Sequence, residues 1–138
     1  MTVSGAISGY GTLLKAGATT IAEVTDISGP SIKLDTQDVT TYVSPGAFRE
    51  KLATLLDAGD VKFTISFLPT DATHNYTAGL LHNMVTKALI TYSLVFPNTG
   101  ATTWTFTAYV AGFDLKTPVD NRIQADITLT ITGMPTFT

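Results

Sequence analysis

Apolar and polar side chains alternate with a period of two along residues 122–132, RIQADITLTIT. Ile123, Ala125, Ile127, Leu129 and Ile131 fall on one side of an extended strand, and Gln124, Asp126, Thr128, Thr130 and Thr132 on the other, because successive strand side chains point to opposite faces. Burying four Ile or Leu side chains is worth roughly 1.5–3 kcal/mol each before chain entropy is subtracted, and a one-residue slip would expose them all. Residues 60–68, DVKFTISFL, repeat the pattern: Val61, Phe63, Ile65 and Phe67 face one way, Lys62, Thr64 and Ser66 the other, and Pro69 stops the run. Residues 102–111 alternate Trp104, Phe106, Ala108 and Val110 with Thr103, Thr105, Thr107 and Tyr109, after a strand at 90–96 and a Pro97-Asn98-Thr99-Gly100 turn.

The rest of the chain is less regular. Residues 19–28 and 31–38 are expected to be two strands joined as a hairpin at Gly29-Pro30. Residues 39–59 break the period: Pro45-Gly46 signals a turn, and Phe48, Leu52, Leu55 and Leu56 then recur at helical spacing up to Asp57-Ala58-Gly59. So long an excursion is usually functional, and its exposed candidates are Tyr42, Phe48, Leu52 and Leu55. Thr73 is the expected N-cap of a helix over residues 73–89, whose stripe Tyr76, Leu80, Leu81, Met84, Val85 and Ala88 would cover the apolar sheet face. Residues 1–18, with Gly5, Gly9, Gly11 and Gly17, form a weakly patterned arm holding one short strand at most, and residues 113–121 bend at Pro118. The expected fold is mainly β: a single domain over residues 1–138, built as an antiparallel sandwich or partly rolled barrel with one flanking helix and a long inter-strand loop at 39–59.

Composition removes several functions. With no cysteine among 138 residues, a disulfide framework, a thiolate metal site and a thiol nucleophile are all excluded. Only 14% of residues are charged and the net charge is -3, which leaves no basic footprint for nucleic acid. Sparse charge with a mean hydropathy of +0.25 points to self-association rather than a monomer. No segment has the order of a signal peptide, and His82, Asn83 and Lys87 interrupt the apolar stretch at 78–96, which argues against membrane insertion.

His74 and His82 are eight residues apart, about 12 Å along a helix, so they cannot share a metal and are expected on the solvent side. Asp57 and Asp60 lack the following oxygen ligands of a calcium loop, the early glycines lead into no phosphate-loop Lys-Ser or Lys-Thr, and no Gly-x-Ser-x-Gly elbow occurs. No catalytic, metal or cofactor residue is therefore assigned. The hydroxylated faces allow two readings: a water-facing surface without a role, or a neutral-to-acidic wall along which a polyanion passes without sticking.

The strings Gly11-Thr12-Leu13-Leu14-Lys15, TTIAEVTDISGPSIKLDTQDVTT at 19–41 and GAFREKLATLLDAGDVKFTISF at 46–67, followed by Pro69, resemble the tail tube proteins of long, flexible-tailed bacteriophages. Asp38-Val39-Thr40-Thr41, Phe48-Arg49-Glu50 and Leu56-Asp57-Ala58-Gly59-Asp60-Val61 carry most of the likeness, with Thr54 where such proteins usually have Gly and Asp60 where they have Glu. The resemblance implies a β-sandwich with a flanking helix, hexameric rings stacked into a tube, four strands per subunit lining the lumen, and a long loop reaching neighbouring subunits. Implied partners are further copies of the chain, a tape-measure protein, tail terminator and baseplate or tip proteins, and DNA that passes without specific binding. The implied location is the virion tail tube, assembled in the host cytoplasm.

On that footing Tyr42, Phe48, Arg49, Leu52 and Leu55 are expected at inter-subunit contacts, and Thr64, Ser66, Asp126, Thr128 and Thr130 on the lumen. Six copies at -3 apiece carry -18, which repels DNA rather than holding it. Two other readings fit the same pattern: a tail terminator or a secretion-tube subunit, or a small β-sandwich module that binds a sugar or protein on a platform of Trp104, Tyr109 and Tyr92.

Overall fold

The computed structural model describes residues 4–138, so residues 1–3 of the expected arm lie outside the described residues. The strands are β1 (Leu13–Ala16), β2 (Thr19–Thr20), β3 (Val24–Ser28), β4 (Lys33–Asp38), β5 (Lys51–Asp57), β6 (Asp60–Ser66), β7 (Ile90–Val95), β8 (Thr103–Lys116) and β9 (Gln124–Phe137). A short helix, α1 (Leu80–Val85), precedes β7. Seven strands form one antiparallel sheet in the order β2-β1-β7-β8-β9-β6-β3, while β4 and β5 pair only with each other.

The connectivity forces this sheet to curl. Laid flat, seven strands place their outermost members about 29 Å apart, at about 4.8 Å per gap. Yet β2 at one edge and β3 at the other are joined by residues 21–23 alone, and the four steps from Thr20 to Val24 span about 15 Å at most. Only a sheet rolled back towards itself satisfies both lengths, and the result is a half-barrel. Of the two architectures that the pattern allows, the partly rolled barrel is the one formed; the second sheet is a lone hairpin.

The link is pinned on every side. Ile21 donates its N–H to the Leu14 carbonyl at 2.9 Å, and the Glu23 carbonyl accepts from the Ser66 N–H at 2.9 Å. Between them, the Ala22 N–H donates to Thr73 Oγ1 at 3.1 Å, and the Ala22 carbonyl meets His74 Nε2 at 2.6 Å. His74 Nδ1 accepts the Leu68 N–H at 3.1 Å, so Nε2 carries the proton donated to Ala22. His74 is fully buried and stacks on Phe67. The expectation of a solvent-side His74 is thus overturned: it staples the link that holds the half-barrel's edges together.

Inside lies one core. Val61, Phe63 and Ile65 of β6, Ala125, Ile127, Leu129 and Ile131 of β9, and Phe106, Ala108 and Val110 of β8 point inward, as their alternation dictates, and Leu14, Ile21, Ala58, Tyr92, Leu94 and Leu80 complete the cluster. Register confirms the shared face: Phe63 stands opposite Ile127, which stands opposite Phe113. Ile123, grouped with this face in the sequence, precedes β9 and is exposed.

Three local expectations fail for identifiable reasons. Val24–Ser28 pairs with β6 rather than with residues 31–38, so no hairpin forms at Gly29-Pro30. The helix shrinks to Leu80–Val85 because side chains upstream capture the backbone. Asp71 Oδ1 accepts from the Thr73 N–H and hydroxyl at 2.8 and 2.6 Å, and Asn75 Oδ1 accepts from the Ala78 and Gly79 N–H groups at 2.9 and 3.2 Å. Residues 51–57, given helical spacing in the sequence, form a strand. Between Leu34 and Thr36 on β4, β5 advances from Leu56 to Ala53, one residue too many, and this bulge spaces its leucines as a helix would.

Two outcomes follow from the core and the link. Ile127→Asp, which places an unpaired charge at a fully buried site, is expected to cost more than about 4 kcal/mol and leave no folded subunit by circular dichroism. His74→Ala strips Leu68 and Ala22 of their partners and is expected to lower stability in urea unfolding by about 2–5 kcal/mol. A loss under about 1 kcal/mol would mean the link is held by other contacts.

Candidate functional site

The β4–β5 hairpin is exposed along both strands. Its root is sharply fixed: Gly59 closes the turn into β6 with φ +71°, and a Cβ there would run into the Ser31 carbonyl. From this root the chain extends to Asp38, turns through residues 39–50, and returns from Lys51 to Asp57. A two-stranded hairpin by itself is marginal in water.

Polar groups nevertheless organise its tip. Asp38 Oδ1 accepts from the Thr40 N–H and hydroxyl at 2.9 and 2.6 Å, and Asp38 Oδ2 pairs with Arg49 Nη1 at 3.1 Å. Thr40 Oγ1 accepts the Glu50 N–H at 2.8 Å, and Glu50 Oε2 accepts from the buried Ser44 hydroxyl at 2.8 Å. The hydrogen bonds from Thr40, then the Arg49 guanidinium, hold the Asp38 carboxyl below the usual carboxylate range. Around this polar centre the apolar side chains face water: Val43 is 87% and Phe48 78% exposed, and Tyr42 is fully so.

All five residues expected at inter-subunit contacts therefore lie on one projecting element. Tyr42, Phe48 and Arg49 sit at the tip, Leu52 stands opposite Gln37, and Leu55 lies in the bulge. Sequence reading missed three companions. Leu34 and Leu56 face each other across the hairpin and are both exposed, and Val43 joins Tyr42. Val43 and Leu56 lie inside the excursion at 39–59, which was a usable signal, but the bulge concealed the strand that sets Leu56 opposite Leu34.

The second candidate surface is the sheet's outer face. Register aligns Asp26 of β3, Thr64 of β6, Asp126 of β9 and Asp114 of β8 in one row across four strands. Thr64 Oγ1 donates to Asp126 Oδ1 at 2.8 Å, and Lys116 Nζ reaches Asp126 Oδ2 at 2.9 Å. Lys116, then Thr64, lowers the Asp126 carboxyl below its ordinary range, and Asp126 in turn raises Lys116. The neighbouring row joins Ser28, Lys62, Thr128 and Gly112; Ser66 stands opposite Gln124, and Thr130 opposite Asp60 and Tyr109. The five residues expected on a lumen thus share one face of β6 and β9.

The aromatic platform of the binding-module reading is absent. Tyr92 is fully buried, and burial raises its pKa. Trp104 is wedged edge-on between Phe96 and Phe137, leaving Tyr109 alone on the outer face. Among the described residues, no group of three or more His, Asp or Glu side chains is placed to hold a metal ion, and no helix is long and apolar enough to cross a membrane.

Comparison with solved structures places the fold. A chain from the virion of a native gene transfer agent particle superposes with a TM-score of 0.78 at 18% identity, over 96% of this chain and 99% of that one. A chain from the tail of an empty gene transfer agent particle, computed with helical refinement and C6 symmetry, gives 0.78 at 20% identity with the same coverage. A chain from the sheath/tube terminator of an extracellular contractile injection system in its extended state gives 0.74 at 14% identity, over 99% of each. No curated protein matches the sequence. The family model described as lambda phage tail tube protein matches residues 4–138. Because that match spans every described residue, the chain belongs to the lambda phage tail tube protein family, as a structural component of the virion's tail tube.

Proposed function

We propose that the subunit assembles into hexameric rings that stack into a tube, through which genomic DNA passes during ejection. One observation carries this reading: a half-barrel with its own apolar core projects a folded hairpin whose apolar side chains find no cover among the described residues of the same chain. The C6 symmetry of the gene transfer agent tail supports six copies per ring. Neighbouring copies then cover the hairpin, and the open strand edges of each half-barrel are closed by the next subunit around the ring. A tape-measure protein fills the lumen before DNA does, and terminator and baseplate proteins close the ends.

The face carrying Thr64, Ser66, Asp126, Thr128 and Thr130 lines the lumen in this proposal. Its row of aspartates, offset by Lys62 and Lys116, gives phosphates little to bind. Hydroxyl groups keep the wall wetted without concentrating positive charge. The exposed apolar hairpin disfavours the binding-module reading, since a module that works as a monomer has no use for an uncovered apolar arm.

Purified protein is expected to form hollow rings or tubes under the electron microscope, whereas a species that stays monomeric at high concentration would refute the proposal. Phe48→Ala is expected to leave subunit stability within about 0.5 kcal/mol of the parent and to raise the concentration needed for polymerisation, read by sedimentation. Thr128→Lys, repeated around every ring, is expected to leave tube length unchanged and to slow DNA ejection from assembled virions at low salt by about tenfold or more.

A further inference from the structure

The sheet face assigned above to the lumen carries two cations on β6 and β8, and the fold treats them differently. Lys62 of β6 stands between Ser28 and Thr128, with no carboxylate at ion-pair distance among the described residues. Lys116, the last residue of β8, is held: its Nζ meets Asp126 Oδ2 at 2.9 Å on the neighbouring strand. Asp126 is held in turn, because its other oxygen, Oδ1, accepts the Thr64 hydroxyl of β6 at 2.8 Å. Three adjacent strands thus converge on one carboxylate.

Register accounts for the direction that Lys116 takes. Asp114 of β8 stands directly opposite Asp126, and like charges so placed repel each other. Lys116 lies two residues further along β8, on the same face as Asp114, and reaches diagonally to Asp126. Its ammonium therefore offsets both carboxylates. The hydrogen bond to Asp126, followed by the charge of that carboxylate, raises Lys116 above the ordinary lysine range, with a smaller contribution from Asp114.

We infer that Asp126 is a positioning residue for DNA passage, which sequesters the Lys116 ammonium so that phosphates sliding along the wall meet one free lysine per copy, Lys62, instead of two. The inference deepens the proposed function and rests on its lumen assignment. Summed charge alone does not give this result. Loss of Asp114 or of Asp126 makes the wall less negative by the same amount, but only loss of Asp126 frees a cation, and each cation that pairs with a phosphate strengthens DNA binding in a salt-dependent way. An isolated surface ion pair restrains a lysine weakly. Here the Thr64 hydrogen bond fixes the acceptor, and the same pair recurs in every copy around and along the tube, so a small bias at each site acts many times on one DNA molecule.

The test times DNA ejection from virions assembled with Asp126→Asn, with Asp114→Asn, or with the double change Lys116→Met/Asp126→Asn, at about 50 mM and about 1 M salt. Asp126→Asn is expected to slow ejection about threefold or more at low salt and to approach the parent rate at high salt. Asp114→Asn, the charge-matched control, is expected to slow it by less than about twofold, and the double variant to return within about twofold of the parent. Tails of parent length by electron microscopy show that assembly is intact. Equal slowing by the two aspartate variants, a parent rate for Asp126→Asn, or a double variant as slow as Asp126→Asn would each overturn the inference and leave the lumen assignment standing. Shortened tails from Asp126→Asn would give the pair a role in assembly and overturn it likewise. If neither these variants nor Thr128→Lys alters ejection at low salt, the lumen assignment falls and the inference with it.

Discussion

Three residues, 21–23, govern the shape of this subunit. They bridge the opposite edges of a seven-stranded sheet, and no flat or gently twisted sheet lets so short a segment cover that span. The curvature is thus imposed by connectivity, and the core condenses inside it. Thr73 and His74 complete the arrangement by satisfying both backbone groups of Ala22, so that the link is bonded rather than merely short.

The half-barrel and the hairpin divide two tasks. In the first, alternation buries Val61, Phe63 and Ile65 against Ile127, Leu129 and Phe106 and leaves a hydroxylated outer face. In the second, alternation has no sheet to pack on, and the hairpin is ordered at its tip by Asp38, Thr40, Ser44, Arg49 and Glu50 instead. A disordered loop would pay its ordering entropy on docking, whereas a tip already bonded internally loses less, which favours fast and specific addition of each copy.

Legibility in the sequence tracked periodicity. Strands β6, β8 and β9 were readable because each keeps one face buried over several residues, and the same alternation identified Thr64, Asp126 and Thr128 as a shared polar face. The hairpin partner of Lys33–Asp38 was not readable, because the bulge at Leu55 turns a two-residue period into three-residue and four-residue spacings. The helix was overread because Asp71 and Asn75 compete for backbone N–H groups in a way that an apolar stripe does not reveal. His74 was beyond pattern reading altogether: its role depends on Ala22, 52 residues away. The family strings added what periodicity did not, since the resemblance implied a long loop reaching neighbouring subunits where spacing alone suggested a helix.

The central claim is that the half-barrel is complete within one chain and the hairpin only within an assembly. Hydrogen–deuterium exchange on the isolated subunit and on assembled tubes tests it most directly. Slow exchange over β6, β8 and β9 in both states, with residues 33–57 becoming strongly protected only in the tube, is the result this account predicts. Strong protection of residues 33–57 in the isolated subunit, or no gain there on assembly, would contradict it.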